Sequence, residues 1–503
     1  MSTVPILKDL SFYSNPDLQK SRYENLIKSF KVNFPNDEVN FIARSPGRVN
    51  LIGDHIDYNY FPVLPMAIEV DVIASVSLND SNKIVITNTN PNFERYTIEL
   101  PANLENIDKD IRIDDVHSWG NYFKCGLIVA SKFLNETTTT NSLKGMHITF
   151  NGTVPTGGGL SSSAAFCVTS TLAILYANGC HQISKSDLTK ITVVSEHYVG
   201  LNNGGMDQCA SIYGEQGKAL QIQFKPTIKG IPFKFPVENL VFLITNSLQV
   251  SNKQETAPYH YNLRVVEMAI ASDLLAKKLN LENSELVKDS NLGGFSLRSV
   301  MDGYCGEWKD DDYETGILHL QKMIDVVETK LTNKKGYSVD EICEELGIST
   351  EEFKTKYLTK FPIKFQALKL YQRALHVYKE SLRVLQVIKL LSSNTSDFFN
   401  KFGELMNESQ QDLDLLNESS NSKLNEICSI ALSNGSFGSR VTGAGWGGSI
   451  VHLTNTEDLP NLIDSLRNYY KQEFPQISEN ELDEAIIDSK PGMGSCIIAS
   501  TKF

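Results

Sequence analysis

The sequence predicts a fold of mixed helices and strands that is divided into two domains near residue 236. The chain has 503 residues, enough for two or three domains. Strand and helix patterns alternate in its first half, whereas long helical patterns dominate after Thr256. Pro236 interrupts the apolar pattern between these parts. We therefore expect an N-terminal extension at 1–40, a first domain at 41–236 and a second domain at 237–503.

Composition excludes several classes of protein. Hydrophobic residues make up 41% of the chain and charged residues 21%, as in ordinary globular proteins, so a mainly disordered chain is excluded. The 60 acidic residues outnumber the 47 lysines and arginines, which gives a net charge of −13. An acidic chain gains little from releasing counterions, so we expect no nucleic-acid partner. No run of about 18 apolar residues indicates a membrane span.

The cysteines and the first residues indicate the compartment. The eight cysteines lie far apart and form no CxxC pair, which predicts reduced and mostly buried thiols. The first residues lack the basic head and apolar run of a secretory signal. We expect a cytoplasmic protein.

Apolar spacing and turn residues predict the individual elements along the chain. Runs rich in β-branched and aromatic residues predict strands at 41–46, 70–78, 83–89, 145–150, 218–224, 240–245 and 496–500. Apolar residues three and four positions apart predict helices at 16–30, 118–134, 162–177, 186–199, 256–279, 313–331 and 365–391. A strand, a Gly-rich turn and a second strand are predicted at 440–453, followed by a helix.

Residues 333–360 form a local helical unit with two capping boxes, Ser338 with Glu341 and Ser349 with Glu352. Two short helices joined by a turn also suit a DNA-binding helix-turn-helix. The unit carries six acidic residues, which would repel phosphates. We therefore interpret it as a helical insertion on the protein surface.

Four segments carry residues suited to chemistry. VPTGGGLSSSAAF, at 154–166, lies between a predicted strand and a predicted helix. Its glycines let the backbone approach a ligand closely, and the helix start points free N–H groups at it. It is neither a Walker loop nor a dinucleotide fingerprint. A flexible Gly/Ser turn is the alternative, and the strand-to-helix position favours a phosphate cradle.

The other three segments bring polar groups close together. SPGRVNLIGDHIDYN, at 45–59, suits a ligand with many hydroxyl groups, although a polar turn held by Asx-type bonds would read similarly. EHYVGLNNGGMDQCAS, at 196–211, places Asp207 after a Gly-Gly turn, where it could act as a base, and Glu196 where it could hold a metal. SRVTGAGWGGSIVHL, at 439–453, predicts a tight turn and is weakly specific alone.

In this order and at these separations, the four segments resemble the GHMP kinase family, and within it the fungal galactokinases. The resemblance extends from about Phe41 to Cys496 and includes the segments 250–267 and 369–385. It implies two α+β domains with the active site in the cleft between them. It also implies transfer of the γ-phosphoryl group of ATP to the anomeric hydroxyl of α-D-galactose, with Mg²⁺, giving galactose 1-phosphate and opening galactose catabolism.

The resemblance implies a role for particular residues. Asp207 matches the catalytic base and Arg48 its partner. Sugar-binding positions match Arg48, Asp54, His55, Asp57, Asn203, Gly204 through its backbone, Asp207 and Tyr261. ATP-binding positions match Gly157, Gly158, Gly159, Leu160, Ser161, Ser162, Ser163, Ser251, Asn252 and Lys253. Ser163 and Glu196 are the magnesium pair.

One position departs from the family pattern. The usual Gly-Glu-His reads Gly53-Asp54-His55 here. The shorter side chain retracts the carboxylate, and a hydrogen bond to the sugar 6-hydroxyl would weaken by about 1 kcal/mol. This affects sugar affinity more than catalysis.

Two alternatives stay open. The first is signalling, because a close paralogue of fungal galactokinases binds ATP and galactose and relieves a transcriptional repressor. In the present chain such signalling would either replace kinase activity or accompany it. That paralogue has a shortened Ser/Ala stretch, whereas residues 161–165 are complete here, which favours catalysis. A kinase of N-acetylgalactosamine shares the SPGRVN and TGAGWGG segments, but the Asn202–Asn203 pair is more similar to the galactokinases.

Overall fold

The computed structural model describes residues 2–116, 118–139, 141–200, 204–249, 256–281, 286–360, 362–393 and 396–499, and it confirms an α+β fold. The largest sheet has seven strands in the order β1-β13-β2-β3-β6-β4-β5. These strands are β1 Ile6–Leu7, β2 Phe41–Ile52, β3 Leu64–Asn79, β4 Lys83–Asn88, β5 Tyr96–Glu99, β6 Gly145–Gly152 and β13 Cys496–Ile498.

Strand β2 is twelve residues long and buried throughout, and it contains residues 45–52 of the segment 45–59, the sugar motif that the resemblance implies. The sequence predicted a strand only as far as Pro46, because Pro-Gly usually marks a turn. The chain instead continues along β3, with register shifts between Pro46 and Arg48 and between Asn50 and Ile52. Such irregularities change the direction of the side chains that follow.

The later strands form two smaller sheets. Four antiparallel strands lie in the order β10-β11-β9-β12, and β7 pairs with β8. Their bounds are β7 Lys218–Gln223, β8 Lys229–Lys234, β9 Leu240–Asn246, β10 Gly438–Thr442, β11 Ser449–Asn455 and β12 Ile486–Ser489. Strand β13, from the end of the chain, returns to the first sheet beside β2. The domain limits 1–40, 41–236 and 237–503 stay a prediction.

Helices cover these sheets. They span Pro16–Asn33, Ile107–Asp110, Trp119–Thr137, Ser162–Ala177, Lys185–Val193, Met206–Tyr213, Tyr261–Lys278, Leu297–Cys305, Tyr313–Lys330, Val339–Leu346, Thr350–Tyr357, Leu370–Leu391, Phe398–Leu415, Ser422–Leu432, Leu459–Glu473 and Glu479–Ala485. The predicted helix at 162–177 is confirmed to the residue. The one predicted from Thr256 begins at Tyr261, because Pro258 disfavours helical backbone at the residue before it.

The surface unit around residues 333–360 has the predicted form. Both capping boxes are present, at the N-termini of the helices Val339–Leu346 and Thr350–Tyr357. The Tyr357 hydroxyl donates to Asp273 Oδ2 at 2.6 Å, which anchors the unit to the helix Tyr261–Lys278. All eight cysteines are free thiols, as predicted. Within the described ranges, no helix is both long and apolar enough to cross a membrane.

Candidate active site

Arg48 and Asp207 lie against each other in a cavity between the two halves of the chain. Arg48 is on β2, and Asp207 is in the first turn of the helix Met206–Tyr213. Arg48 Nε lies 2.9 Å and Nη2 2.8 Å from Asp207 Oδ1. The guanidinium is 2% exposed, so this ion pair is screened little by water. The predicted pair is therefore in contact.

The turn after β2 buries three polar side chains of the sugar motif: Asp54, His55 and Asp57. His55 has a positive φ of 63°, a backbone region that costs a non-glycine residue free energy. Its Nε2 lies 2.8 Å from the Ala444 carbonyl oxygen and its Nδ1 lies 3.1 Å from the Tyr58 hydroxyl. A conformation held this firmly, with three polar groups facing one cavity, suits recognition of hydroxyl groups.

The carboxyl group of Asp57 has an unusual environment. Burial, with a smaller contribution from the negative charge of Asp207, raises the pKa of Asp57 to about 7. Gly204, which the sequence placed at the sugar, packs so closely on Asp57 that a Cβ at this position would collide with its carboxylate. Because its pKa is about 7, Asp57 is present in both its charged and its neutral form near neutral pH.

Asp54 is joined to the Gly-rich turn of the second half of the chain. Its Oδ2 lies 2.5 Å from Arg440 Nη2, and its Oδ1 accepts the Gly443 N–H at 3.0 Å. Burial raises the pKa of Asp54, and the charges of Arg440 and Arg48 oppose that rise. The carboxylate therefore links the sugar motif to β10.

Two rings that line the cavity, those of His55 and Tyr261, pack against further aromatic rings. The ring centroids of Tyr261 and His55 are 5.5 Å apart, as are those of Trp446 and His55. Tyr58 contacts Tyr261 edge-on. Trp446 Nε1 donates to the Glu418 carbonyl oxygen at 2.7 Å, which holds the indole in place. Apolar ring faces beside polar groups are typical of a small-molecule site.

The Gly-rich loop before the helix Ser162–Ala177 lies between β2 and the turn at 443–448. Arg48 donates from Nη1 to the Gly159 carbonyl at 2.7 Å and from its backbone N–H to the Leu160 carbonyl at 3.1 Å. Ser449 Oγ donates to the Gly158 carbonyl at 2.5 Å. Three consecutive carbonyl groups are thus bound by the protein, which fixes the loop.

The start of this helix fits an anionic ligand. Ser161, at the N-cap, has φ 61° and makes no capping bond with its side chain. Its Oγ is buried and has no hydrogen-bond partner among the described residues. The first N–H groups of a helix lack intrahelical partners and carry partial positive charge. Phosphate oxygens would accept hydrogen bonds from the Ser161 hydroxyl and from these N–H groups.

Glu196 and Ser163, which the resemblance assigns to magnesium, carry oxygen atoms, the ligands that Mg²⁺ prefers. Glu196 is 2% exposed, lies in the 3₁₀ turn Ser195–Val199 and accepts from Gln208 Nε2 at 2.7 Å. Cys167 lies one turn beyond Ser163 on the same helix. Burial raises the pKa of Cys167 most, and the negative charge of Glu196 raises it further. Within the described ranges no cluster of three or more His, Cys, Asp or Glu side chains could hold a metal. One carboxylate is compatible with Mg²⁺, because phosphates and water complete its shell.

The cavity brings together much of the predicted site and adds residues that the sequence did not single out. Its walls are Arg48, Asp54, His55, Asp57, Glu196, Met206, Asp207, Tyr261, Gly443 and Ala444. Met206 and Ala444 were not predicted, and neither was Arg440 behind Asp54. A buried arginine inside a strand gives no local pattern. Asn203, Ser251, Asn252 and Lys253, which the resemblance placed at the sugar and ATP, lie outside the described residues.

Comparison with known proteins gives three family matches along the chain. Residues 28–78 match the galactokinase galactose-binding signature, 121–215 the GHMP kinase N-terminal domain and 390–472 the GHMP kinase C-terminal domain. A galactokinase of Candida parapsilosis is 67% identical over 99% of this chain and 98% of its own length. One of Schizosaccharomyces pombe is 50% identical, with all of both chains covered.

Solved structures give the same fold. A galactokinase of Lactococcus lactis in complex with galactose has a TM-score of 0.68 and 21% identity, covering 93% of this chain and 98% of that one. A mevalonate kinase of Methanococcus jannaschii has a TM-score of 0.51 and 17% identity, covering 90% and 98%.

Proposed function

The chain belongs to the galactokinase family of the GHMP kinases, and we propose that it transfers the γ-phosphoryl group of ATP to the anomeric hydroxyl of α-D-galactose. One observation carries this proposal most directly. The Arg48–Asp207 pair lies in the cavity that the sugar motif lines, and the same guanidinium binds the Gly-rich loop at Gly159. A single side chain therefore joins the place for the sugar to the place for the phosphates.

Asp207 is the proposed base. Its carboxylate accepts the proton of the anomeric hydroxyl as that oxygen forms a bond to the γ-phosphorus. The bond from the γ-phosphorus to the bridging oxygen breaks, and ADP leaves. The products are galactose 1-phosphate, ADP and a proton, which returns from Asp207 to solvent. A positioned base contributes about 10²–10⁴-fold to the rate.

Arg48 compensates the negative charge that develops during the transfer. Its guanidinium is permanently charged, flat and held on two sides, by Asp207 and by the Gly159 carbonyl. A charge fixed in this way need not reorganise as the transition state forms, and the low exposure of the site strengthens its effect. The single ammonium group of a lysine could not reproduce the contacts with both Asp207 and the Gly159 carbonyl.

The remaining residues hold the substrates. Asp54, His55 and Asp57 bind sugar hydroxyls together with Asn203, the Gly204 backbone and Tyr261. The ATP phosphates lie on residues 157–163, where the buried Ser161 hydroxyl and the helix start support this assignment. Ser251, Asn252 and Lys253 complete the ATP site. Mg²⁺ bound through Ser163 and Glu196 would neutralise charge on the phosphates.

The proposal is tested by measuring ADP release from Mg-ATP with galactose, N-acetylgalactosamine and glucose as acceptors. We expect turnover with galactose alone. Turnover only with the acetylated sugar would show that N-acetylgalactosamine, and not galactose, is the acceptor. No turnover with any of the three sugars, while galactose still promotes ATP binding, would indicate a non-enzymatic sensor of ATP and galactose. A repressor partner and a cytoplasmic location stay predictions from the sequence.

A further inference from the structure

Behind the sugar motif lies a buried network of charged side chains that the proposed reaction does not use. Its centre is Glu380, on the helix Leu370–Leu391, and Arg440, on β10, both 0% exposed. Arg440 Nη2 lies 3.5 Å from Glu380 Oε1. Ser409 Oγ bridges the pair, since it donates to Glu380 at 2.8 Å and accepts from Arg440 Nε at 3.0 Å.

This network holds the turn of the sugar motif at several atoms. Glu380 Oε1 accepts the Gly53 N–H at 2.8 Å. Arg440 binds the Asp54 carboxylate at 2.5 Å and the Asn50 carbonyl at 3.0 Å. His376 Nε2 lies 3.0 Å from the Asp54 carbonyl oxygen. The side chain and the backbone carbonyl of Asp54 are therefore both bound by residues more than three hundred positions away in the chain.

The turn needs such support because its backbone is strained. His55 has φ 63°, and Tyr60, after the next turn, has φ 64°. Positive φ at a non-glycine residue persists only where the surroundings hold it. A cavity-facing carboxylate on a strained turn would otherwise take several orientations.

The charges in the network also resist neutralisation. Burial alone would raise the pKa of Glu380, but the charges of Arg440 and Arg383 outweigh burial and lower it to about 2. Arg383 is paired in turn with Asp412. Each charge thus has an opposite neighbour, as a stable buried network requires.

We propose that Arg440 and Glu380 are positioning residues for the sugar, which act by fixing the Asp54 carboxylate and the Gly53 backbone. The inference rests on the proposed function, because it assigns the cavity beside Asp54 to galactose. The Asp54 carboxylate is held by Arg440 and by the Gly443 N–H, so these partners set its orientation.

Galactose affinity, measured on the full chain by titration calorimetry, tests the inference independently of turnover. We expect Arg440→Lys to raise the galactose Kd about tenfold, the size expected when a charge-assisted hydrogen bond is lost, with the ATP KM within about twofold. Glu380→Gln, which preserves shape and an acceptor for Gly53, should raise it about threefold. Arg44→Lys is the control, because Arg44, on β2, is equally buried and is paired with Asp71 on the neighbouring strand β3.

A double-mutant cycle separates positioning from general stability. If Arg440 acts through Asp54, then adding Arg440→Lys to Asp54→Asn should change the galactose Kd less than about twofold. An equal effect in both backgrounds would overturn the inference. So would a Kd change no larger than that of Arg44→Lys. If Arg440→Lys does not fold, the Glu380→Gln result decides alone, and a wild-type Kd overturns the inference.

The measurements distinguish an error in the proposed function from an error in the positioning inference. Wild-type protein that binds galactose but releases no ADP would contradict the kinase proposal, while the Kd series still tests the positioning residues. Wild-type protein that phosphorylates galactose, with variants that retain the wild-type Kd, would contradict the positioning inference alone.

Discussion

Arg48 and Asp207 are 159 residues apart in the chain, and two nitrogens of the guanidinium contact the same carboxylate oxygen, Oδ1. The third nitrogen, Nη1, binds the Gly159 carbonyl. One side chain therefore contacts both the proposed base and the Gly-rich loop at Gly159.

Asp207→Asn should lower kcat for galactose phosphorylation about 10²–10⁴-fold, because the amide cannot accept the proton. The substitution keeps the size of the side chain, so the galactose KM should change much less than kcat. Steady-state kinetics with saturating Mg-ATP measures both.

Asp310→Asn is the matched control for this substitution. Asp310 is a buried carboxylate paired with Arg298 at 2.6 Å, outside the cavity. It should leave kcat unchanged apart from any loss of folded protein. An Asp207→Asn enzyme with nearly wild-type kcat would contradict the assignment of the base.

The turn at Gly443 should not accept alanine. Gly443 has φ +82°, and a Cβ there would lie 2.5 Å from the Gly159 carbonyl oxygen and 3.4 Å from Arg48 Nη2. Gly443→Ala should therefore displace the Gly-rich loop at Gly159, raise the ATP KM and lower thermal stability. Kinetics and thermal unfolding measure the two effects.

Gly179→Ala isolates the contribution of backbone strain. Gly179 has φ +89°, with no atom within 4 Å of the added Cβ. It should cost only about 1–2 kcal/mol of stability and leave the ATP KM unchanged. Equal effects of the two substitutions on ATP would show that the contact with Gly159 is unimportant.

Asp57→Asn should stabilise the protein at high pH while it abolishes tight galactose binding. The folded pKa of Asp57 is about 7, above its ordinary value of 3.8. Between these values the folded state holds a proton that the unfolded state has released, so the contribution of Asp57 to the free energy of unfolding falls as pH rises through that range. Above pH 7 the cost is constant, at about 4 kcal/mol.

The corresponding measurement is urea unfolding of both proteins at pH 4 and pH 8. The stability of the variant minus that of the wild type should be near zero at pH 4 and several kcal/mol at pH 8. The same difference at both pH values would contradict the raised pKa.

Glu196→Gln should raise the Mg²⁺ concentration needed for half-maximal activity. Loss of even an outer-shell partner of a metal typically costs about 10–100-fold in metal affinity, and a direct ligand should cost at least as much. A magnesium titration at fixed ATP measures the shift. Glu215→Gln, at a carboxylate paired with Lys218 on the surface, is the control. Equal magnesium requirements in the two variants would remove Glu196 from the proposed metal site.

The sequence predicted the parts of the site that are contiguous in the chain. The helix Ser162–Ala177 follows from its apolar spacing, and the loop before it from three glycines and three serines. Arg48, Asp54, His55, Asp57 and Asp207 all occur in local motifs, and the structure brings these five together around one cavity.

Other parts had no local signal. Strand β2 continues through Pro46 and Gly47 because β3 pairs along its length, and this tertiary pairing overrides the turn preference of Pro-Gly. Arg440 lies in a short strand of small and polar residues, and Glu380 lies on a helix with four other charged residues, so neither residue stands out in its segment. Their partners in the sugar motif, Asp54 and Gly53, lie hundreds of residues away, so only the fold shows that Arg440 and Glu380 hold this motif.

We propose that this site phosphorylates the anomeric oxygen of galactose. Phosphorus NMR of the product that wild-type protein forms from Mg-ATP and galactose identifies the oxygen that is phosphorylated. We expect a single sugar phosphate whose phosphorus is coupled to the proton on C1, in the α configuration, together with one equivalent of ADP. A phosphate on the 6-hydroxyl, or ADP without a sugar phosphate, would contradict it.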